Sequence, residues 1–385
     1  MTRVVVSGAL ANKYLNGGEA WVRLSWVLGL QRLGCTVQFI EQIAPEQCVD
    51  RAGGVAPFEQ SVNLSYFENV TRAFGLEQNC ALVYGDGTET SGSSLGELES
   101  VAAEADLLVN ISGHLRLDSL MSRLQRKAYV DLDPGFTQLW HAAGNTGAGL
   151  AGHDTFFTVG ESIGTPECRI PTGGIHWHPV RPPVVLDEWP RATEGDPNRF
   201  TTVASWRGAY GPIEFEGETL GLKVHEFRKV IGLPGEVGLD FEIALDIHPG
   251  DAKDLDALHE HGWRIVDPKV TVPDPESFRS YVQGSGAEFS VAQAIYVRGK
   301  VGWFSDRTVR YLASGKPALI QDTGFTRHYP QTEGVVAFDT LEEAAEGARR
   351  ISASYEDHSQ AARDLAERYF DSDKVLADFL EQALE

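Results

Sequence analysis

In Gly302-Trp-Phe-Ser-Asp-Arg-Thr-Val-Arg-Tyr-Leu-Ala-Ser-Gly-Lys-Pro-Ala-Leu-Ile-Gln-Asp322, a loop, a short helix, a glycine stop and a buried strand follow one another. Ser305 is a good N-cap and starts the helix at Asp306. Gly315 ends that helix, and Pro317 leads into the strand Ala318-Leu-Ile-Gln321. A loop feeding a helix start offers unpaired backbone N–H groups and the positive end of the helix dipole, which together attract phosphate. Arg307 and Thr308 add a forked donor and a hydroxyl to the first turn. The segment reads as a grip for a nucleoside diphosphate.

The same grammar runs outward in both directions. Val4-Val-Val6 is a short strand, and a loop from Ser7 to Gly18 follows it. Ala20 to Leu33 has helical spacing, with Trp21, Leu24, Val27, Leu28 and Gln31 three and four apart. Gly34 stops it, and Thr36-Val-Gln-Phe-Ile40 is the next strand. Asp106–Ile111, Lys127–Leu132 and Thr155–Val159 are further buried runs. Residues 170–199 hold Pro171, Pro179, Pro182, Pro183, Pro190 and Pro197 without helical period. Beyond them Thr201–Ser205, Phe241–Leu245, Trp263–Val266 and Ala287–Ser290 restart the strand pattern, and Leu341 to Leu384 is helical with a break at Asp371-Ser-Asp373. Trp263 itself reads as core. Strands alternating with helices indicate parallel sheets. The expected organisation is an α/β protein with two Rossmann-like domains facing each other across a cleft. Residues 1–180 form the first, 181–199 a Pro-rich linker and 200–365 the second, with 366–385 a closing helix.

The chain has 385 residues, more than one core usually supports. Its 55 acidic against 33 basic residues give a formal charge of −22. Such a surface repels DNA and anionic membranes, so neither is expected as a partner. Cys35, Cys48, Cys80 and Cys168 lack Cys-x-x-Cys spacing and read as reduced thiols of a cytoplasmic protein. The first apolar run is too short for a signal peptide, and none approaches the ~20 residues of a membrane span.

Ligands of open α/β sheets bind beyond the carboxyl ends of the strands, which orders the candidate residues by position. After the first strand, Gly17 and Gly18 permit close backbone approach to a ligand, or merely turn the chain. Their spacing is not Gly-x-Gly-x-x-Gly, which disfavours a nicotinamide cofactor. His114 follows a buried strand and suits either a sugar hydroxyl, proton transfer or a structural hydrogen bond. Asp131 and Asp133 lie two residues apart at the end of the next strand; one serves the cleft as base and the other caps a turn. Glu161 reads as turn-capping. In the second half Arg207 and Lys223 stand near the strand ends as cations for a diphosphate. His248 and Val266 are placed to contact a base. His176 and His178 share one side of a strand without a third metal ligand, and no metal spacing emerges. Neither Gly-x-Ser-x-Gly nor Gly-x-x-x-x-Gly-Lys-Ser/Thr occurs.

Gly17-Gly-Glu-Ala-Trp-Val-Arg-Leu24, Val130-Asp-Leu-Asp-Pro-Gly-Phe-Thr137, Phe156-Phe-Thr-Val-Gly-Glu-Ser-Ile-Gly164, Gly302-Trp-Phe-Ser-Asp-Arg307 and Tyr311-Leu-Ala-Ser-Gly315 resemble bacterial, notably actinobacterial, GT-B type glycosyltransferase-like proteins related to the retaining nucleotide-sugar enzymes. The resemblance implies a GT-B fold. It places the nucleotide-sugar donor on the second domain, the acceptor on the first and the last helix crossing back. It puts Arg207 and Lys223 at the family's diphosphate-binding cations and His114 at its strand-end histidine. At the family's two glutamates, which have seven residues between them around the donor helix, this chain has Gly302 and Arg310. Asp306 is a carboxylate at the same helix start.

The expected activity is metal-independent transfer of a sugar from a nucleoside-diphosphate sugar to a small-molecule acceptor, with no permanently bound cofactor. Donor contacts fall to Gly17, Gly18, Arg207, Lys223, His248, Val266, Ser305, Asp306, Arg307 and Thr308. His114, then Asp133, orients the sugar or takes the acceptor proton. Two alternatives are a nucleotide-sugar 2-epimerase using Asp131, Asp133 and Glu161, and a non-catalytic nucleotide-sugar-binding protein.

Overall fold

The computed structural model describes residues 1–208, 210–330 and 333–385. The first half builds β1 (Arg3–Ser7), β2 (Thr36–Ile43), β3 (Cys80–Tyr84), β4 (Glu89–Gly92), β5 (Leu107–Ile111), β6 (Lys127–Asp131), β7 (Thr155–Thr158) and β8 (Trp177–Pro179). They lie in one sheet in the order β4-β3-β2-β1-β5-β6-β7-β8, parallel throughout except for the edge hairpin β3–β4. The second half builds β9 (Arg199–Ser205), the hairpin β10 (Ile213–Phe215) and β11 (Glu218–Leu220), β12 (Asp240–Asp246), β13 (Arg264–Val266), β14 (Ala287–Ser290), β15 (Ala318–Gln321) and β16 (Val335–Phe338). Its main sheet is wholly parallel in the order β13-β12-β9-β14-β15-β16.

Helices cover both faces of such sheets, so the strands read as continuous apolar runs. Val4, Val5 and Val6 are all buried, as are Ala318, Leu319 and Ile320. Strand order reverses beside β1 in one sheet and beside β9 in the other, which opens a crevice at each set of carboxyl ends.

The two halves are tightly joined. The last helix, Ser372–Leu384, returns to the first sheet, where Phe379 packs on Trp26 and Phe157 at centroid distances of 4.9 and 4.5 Å. The proline-rich segment is pinned: Val184 bridges to Asp371, and buried Trp189 meets Trp21 edge-on at 5.0 Å. The helix Gly17–Arg32 abuts the second half directly, with Gly17 N donating to Val272 O at 3.0 Å and Trp21 Nε1 to Pro275 O at 2.8 Å. A second seam is sheet-like, through an antiparallel bridge between Gly160 and Trp303 and a 3.0 Å bond from Ser162 N to Val301 O.

The helical tail holds three helices, Leu341–Ala353, Tyr355–Tyr369 and Ser372–Leu384, with a further break at Ser354.

Candidate active site

The helix predicted from Ser305 runs Asp306–Ala313, with Ser305 Oγ accepting from Arg307 N at 3.2 Å and Gly315 at φ 71° beyond its end. Successive helical residues turn by ~100°. Asp306 and Arg307 therefore face the space between the halves, while Thr308 turns to the sheet. Thr308 is fully buried and lines a small cavity with Ile320 and Gln321. That removes it from the predicted phosphate contacts, and Ser305 spends its own hydroxyl on the cap.

The space is a cleft of about 390 Å³. Its first-half wall is Asn12 to Asn16, Gly18, Glu19 and Val22; its second-half wall includes Ser205, Lys223, Asp246, Lys269, Asp306 and Arg307. Lys13, Lys223, Lys269 and Arg307 stand against Glu19, Asp246 and Asp306, one positive charge in excess within a chain of −22. Arg307 is fixed from behind, with Nε on Glu288 at 2.6 Å, Nη1 on Val203 O at 2.9 Å and Nη2 on Ser290 at 2.6 Å. Burial, reinforced by that guanidinium and opposed by Glu288, pushes the Lys223 ammonium down to about 7.

Gly17 and Gly18 make a close approach, but to protein. A Cβ on Gly17 would lie 2.0 Å from Asp274 O, and one on Gly18 2.9 Å from the Phe278 ring. Gly18 also borders the cleft; Gly17 is spent on the domain seam. Arg207 is not brought to the cleft wall. It extends into solvent and grips Asp251, its Nε 2.8 Å from Oδ2. His248 is exposed and caps its own turn through Gly250 N. Val266 is half-buried at the end of β13, two residues short of the lining residue Pro268.

A second pocket of about 480 Å³ shares Asn12 with the cleft and lies over the ends of β1, β2, β3, β5 and β6. Gln42, Arg116, His114 and Asp133 line it with Tyr129, Trp140 and Tyr210. The two aspartates separate here. Asp131 is fully buried and accepts from Asp133 N, Thr137, Gln138 and Thr158 at 2.6–2.9 Å. It organises the turn and does not reach the pocket. Asp133 does, half-buried, and burial together with Asp131 and Glu19 pushes its carboxyl up to about 7 against the pull of Tyr210 and Lys13. His114 moves the other way: burial, Arg23 and Lys13 lower it to about 3. Its imidazole is neutral near pH 7 and far too weak a base to hold a proton there. Glu161 lies away from both spaces, held by Arg181 at 3.1 Å and by Tyr329.

Positions 302 and 310 are taken by the join between the halves. Gly302 has φ 72°, and a Cβ there would lie 2.6 Å from Ser162 Oγ. Arg310 is buried, paired with Asp306, and packed among Val22, Trp26 and Leu132 of the first half. Sequence reasoning missed Lys13, Lys269, Trp140, Tyr210 and Tyr296. The two lysines follow strand ends, a legible signal, whereas the aromatic residues enter from one loop and two short helices with no periodic cue. Among the described residues no three His, Cys, Asp or Glu side chains converge on a metal position, and no helix is long and apolar enough to cross a membrane.

No protein-family model and no curated sequence matches the chain. Solved structures do match over its length. An alpha-glucosyltransferase in complex with UDP superposes at TM-score 0.60 and 12% identity, covering 100% of both chains. The Anabaena protein HepE, in complex with UDP and glucose, matches at 0.57 and 9%, covering 99% of this chain and 100% of its own. AviGT4, a glycosyltransferase of avilamycin A biosynthesis, matches at 0.55 and 12%, covering 100% and 97%. The chain has the GT-B fold. The alpha-glucosyltransferase was also solved with DNA, in one case with UDP-glucose and an abasic site. That overturns the exclusion of nucleic acid drawn from net charge: global charge does not bar this architecture from DNA.

Proposed function

We propose that this GT-B protein is a nucleotide-sugar-dependent glycosyltransferase. The observation that carries the reading is the meeting at Asn12 of two unlike spaces, a cation-rich interdomain cleft and an aromatic pocket holding Asp133. The cleft suits a nucleoside-diphosphate sugar, with Lys13, Lys223 and Arg307 offsetting the charge of the leaving diphosphate. Those side chains would do this without a metal ion. The neighbours solved with UDP make uridine the first base to try. The acceptor hydroxyl enters the aromatic pocket. As its oxygen bonds the anomeric carbon, the bond from that carbon to the diphosphate oxygen breaks, its electron pair leaves with the diphosphate, and the hydroxyl proton passes to Asp133. Neutral His114 serves as a hydrogen-bonding partner for sugar hydroxyls.

A pocket of this size suits one or two rings, so the acceptor is a small molecule or a single exposed residue of a larger one. The test is diphosphate release from a panel of uridine, guanosine, thymidine and adenosine diphosphate sugars, with simple glycosides and hydroxymethylated DNA as acceptors. Acceptor-stimulated release supports the reading; release of none of them would remove it. Gly302 and Arg310, in place of the family's carboxylates, favour a second reading as a nucleotide-sugar-binding protein without turnover. Binding with no release and no transfer would establish that reading instead.

A further inference from the structure

Asp133 belongs to the first half, yet its carboxylate is held from the second. Tyr210 Oη donates to Oδ2 at 3.2 Å, and Tyr296 Oη to Oδ1 at 3.5 Å. Tyr210 comes from the loop after β9, ahead of the hairpin β10–β11. Its ring is seated on first-half aromatics, edge-on to Trp140 at 4.6 Å and tilted on Phe136 at 5.1 Å. Tyr296, on the helix Ala294–Gly299, is buried and stands edge-on to Phe136 at 6.1 Å. The same cluster takes in Leu220 of the hairpin and Ile295, so the contact is packed and not incidental. A carboxylate that must act in a desolvated pocket needs donors that hold it in one orientation, and both donors here cross the domain boundary.

Resting on the transfer reading above, we propose that Tyr210 and Tyr296 are positioning residues that complete Asp133 as the proton acceptor, so that the acceptor is activated only when the second domain is seated on the first. Asp133 is approached from every side: by Asp131 and Tyr129 of the strand that it follows, Glu19 of the helix Gly17–Arg32 and Lys13 of the turn ahead of that helix, with His114 and Arg116 across the pocket. The tyrosines are the neutral donors in that set. A hydrogen bond to the ionised form favours it, so losing one moves the carboxyl further up.

Carbon-13 titration of the aspartate carboxyls in the free full-length protein tests this, with Asp133→Asn assigning the signal. The wild-type midpoint is expected at about 7. Tyr210→Phe keeps the ring on Trp140 and Phe136 and should raise the midpoint by ~1 unit, with Tyr296→Phe raising it less. The acid limb of UDP release from UDP-glucose should move up in step while UDP affinity stays constant. An unchanged or lowered midpoint in Tyr210→Phe overturns the tyrosine contact even if turnover is present. A raised midpoint in a protein that turns over no nucleotide sugar leaves the contact standing and removes its catalytic purpose, a failure of the transfer reading alone.

Discussion

The wall of the aromatic pocket and the second-half wall of the cleft use the same physical force to opposite ends. On the first, burial lifts the carboxyl of Asp133 to about 7; on the second, burial lowers the ammonium of Lys223 to about 7. Desolvation penalises whichever form is charged, so one group becomes a usable proton acceptor and the other a cation that an anion can finish charging. The neighbours differ accordingly. Asp133 is ringed by tyrosines, Trp140 and another aspartate, Lys223 by Arg307 and Glu288. One wall is suited to hydroxyl chemistry, the other to a diphosphate.

The largest expected effect breaks the first wall. Asp133→Asn should lower acceptor-stimulated turnover by roughly 10²–10⁴-fold while leaving nucleotide affinity unchanged, read by steady-state kinetics beside calorimetry. The second wall answers to Lys223→Ala, which should weaken nucleoside-diphosphate binding by about 10–100-fold, the worth of a charged hydrogen bond. The wild type should also show a pH signature. A bound diphosphate raises the Lys223 midpoint above about 7, so binding at pH 8 takes up a proton and affinity falls as pH rises through 7 to 9; below 7 the group is already charged and uptake vanishes. Calorimetry in buffers of different ionisation enthalpy measures the uptake, and Lys223→Ala should abolish it.

The seam between the walls gives the next effect. Gly302→Glu, which places a carboxylate where the resembling enzymes have one, should fail to improve donor binding and should destabilise the protein by about 1–3 kcal/mol in chemical denaturation, because φ 72° and Ser162 leave no room for a Cβ. Tightened donor binding with unchanged stability would contradict the packing described. The smallest effect is expected for Arg207→Ala. Its guanidinium is exposed and already spent on Asp251, so nucleotide affinity should change by less than about twofold, as for other surface ion pairs.

The fold was legible where local rules act alone. Ser305, Gly315 and Pro317 marked helix and strand ends that the structure places within a residue or two, and apolar runs located β1, β5, β6, β9, β12 and β14. β3, β4 and β16 went unread, as did β8 inside the proline-rich segment, because short strands among turn residues carry no periodicity. The lining of the candidate site was legible to the level of strand ends and one helix start: Asp133, His114, Lys223 and Arg307 all border the two spaces. Charge partners were not legible. Nothing in sequence shows that Arg207 would turn to Asp251, that Thr308 would face the sheet, or that Gly17 would be consumed by Asp274. These outcomes depend on side chains tens to hundreds of residues away.

A calorimetric titration of UDP into the wild-type protein and Lys223→Ala, at pH 7, tests the central claim that the interdomain cleft is the diphosphate site. The expected result is saturable one-to-one binding to the wild type, weakened by about 10–100-fold in the variant. Equal affinity for both proteins would contradict the placement of the diphosphate. An absence of binding to the wild type by UDP, and likewise by GDP, TDP and ADP, would contradict the claim that the cleft holds a nucleotide.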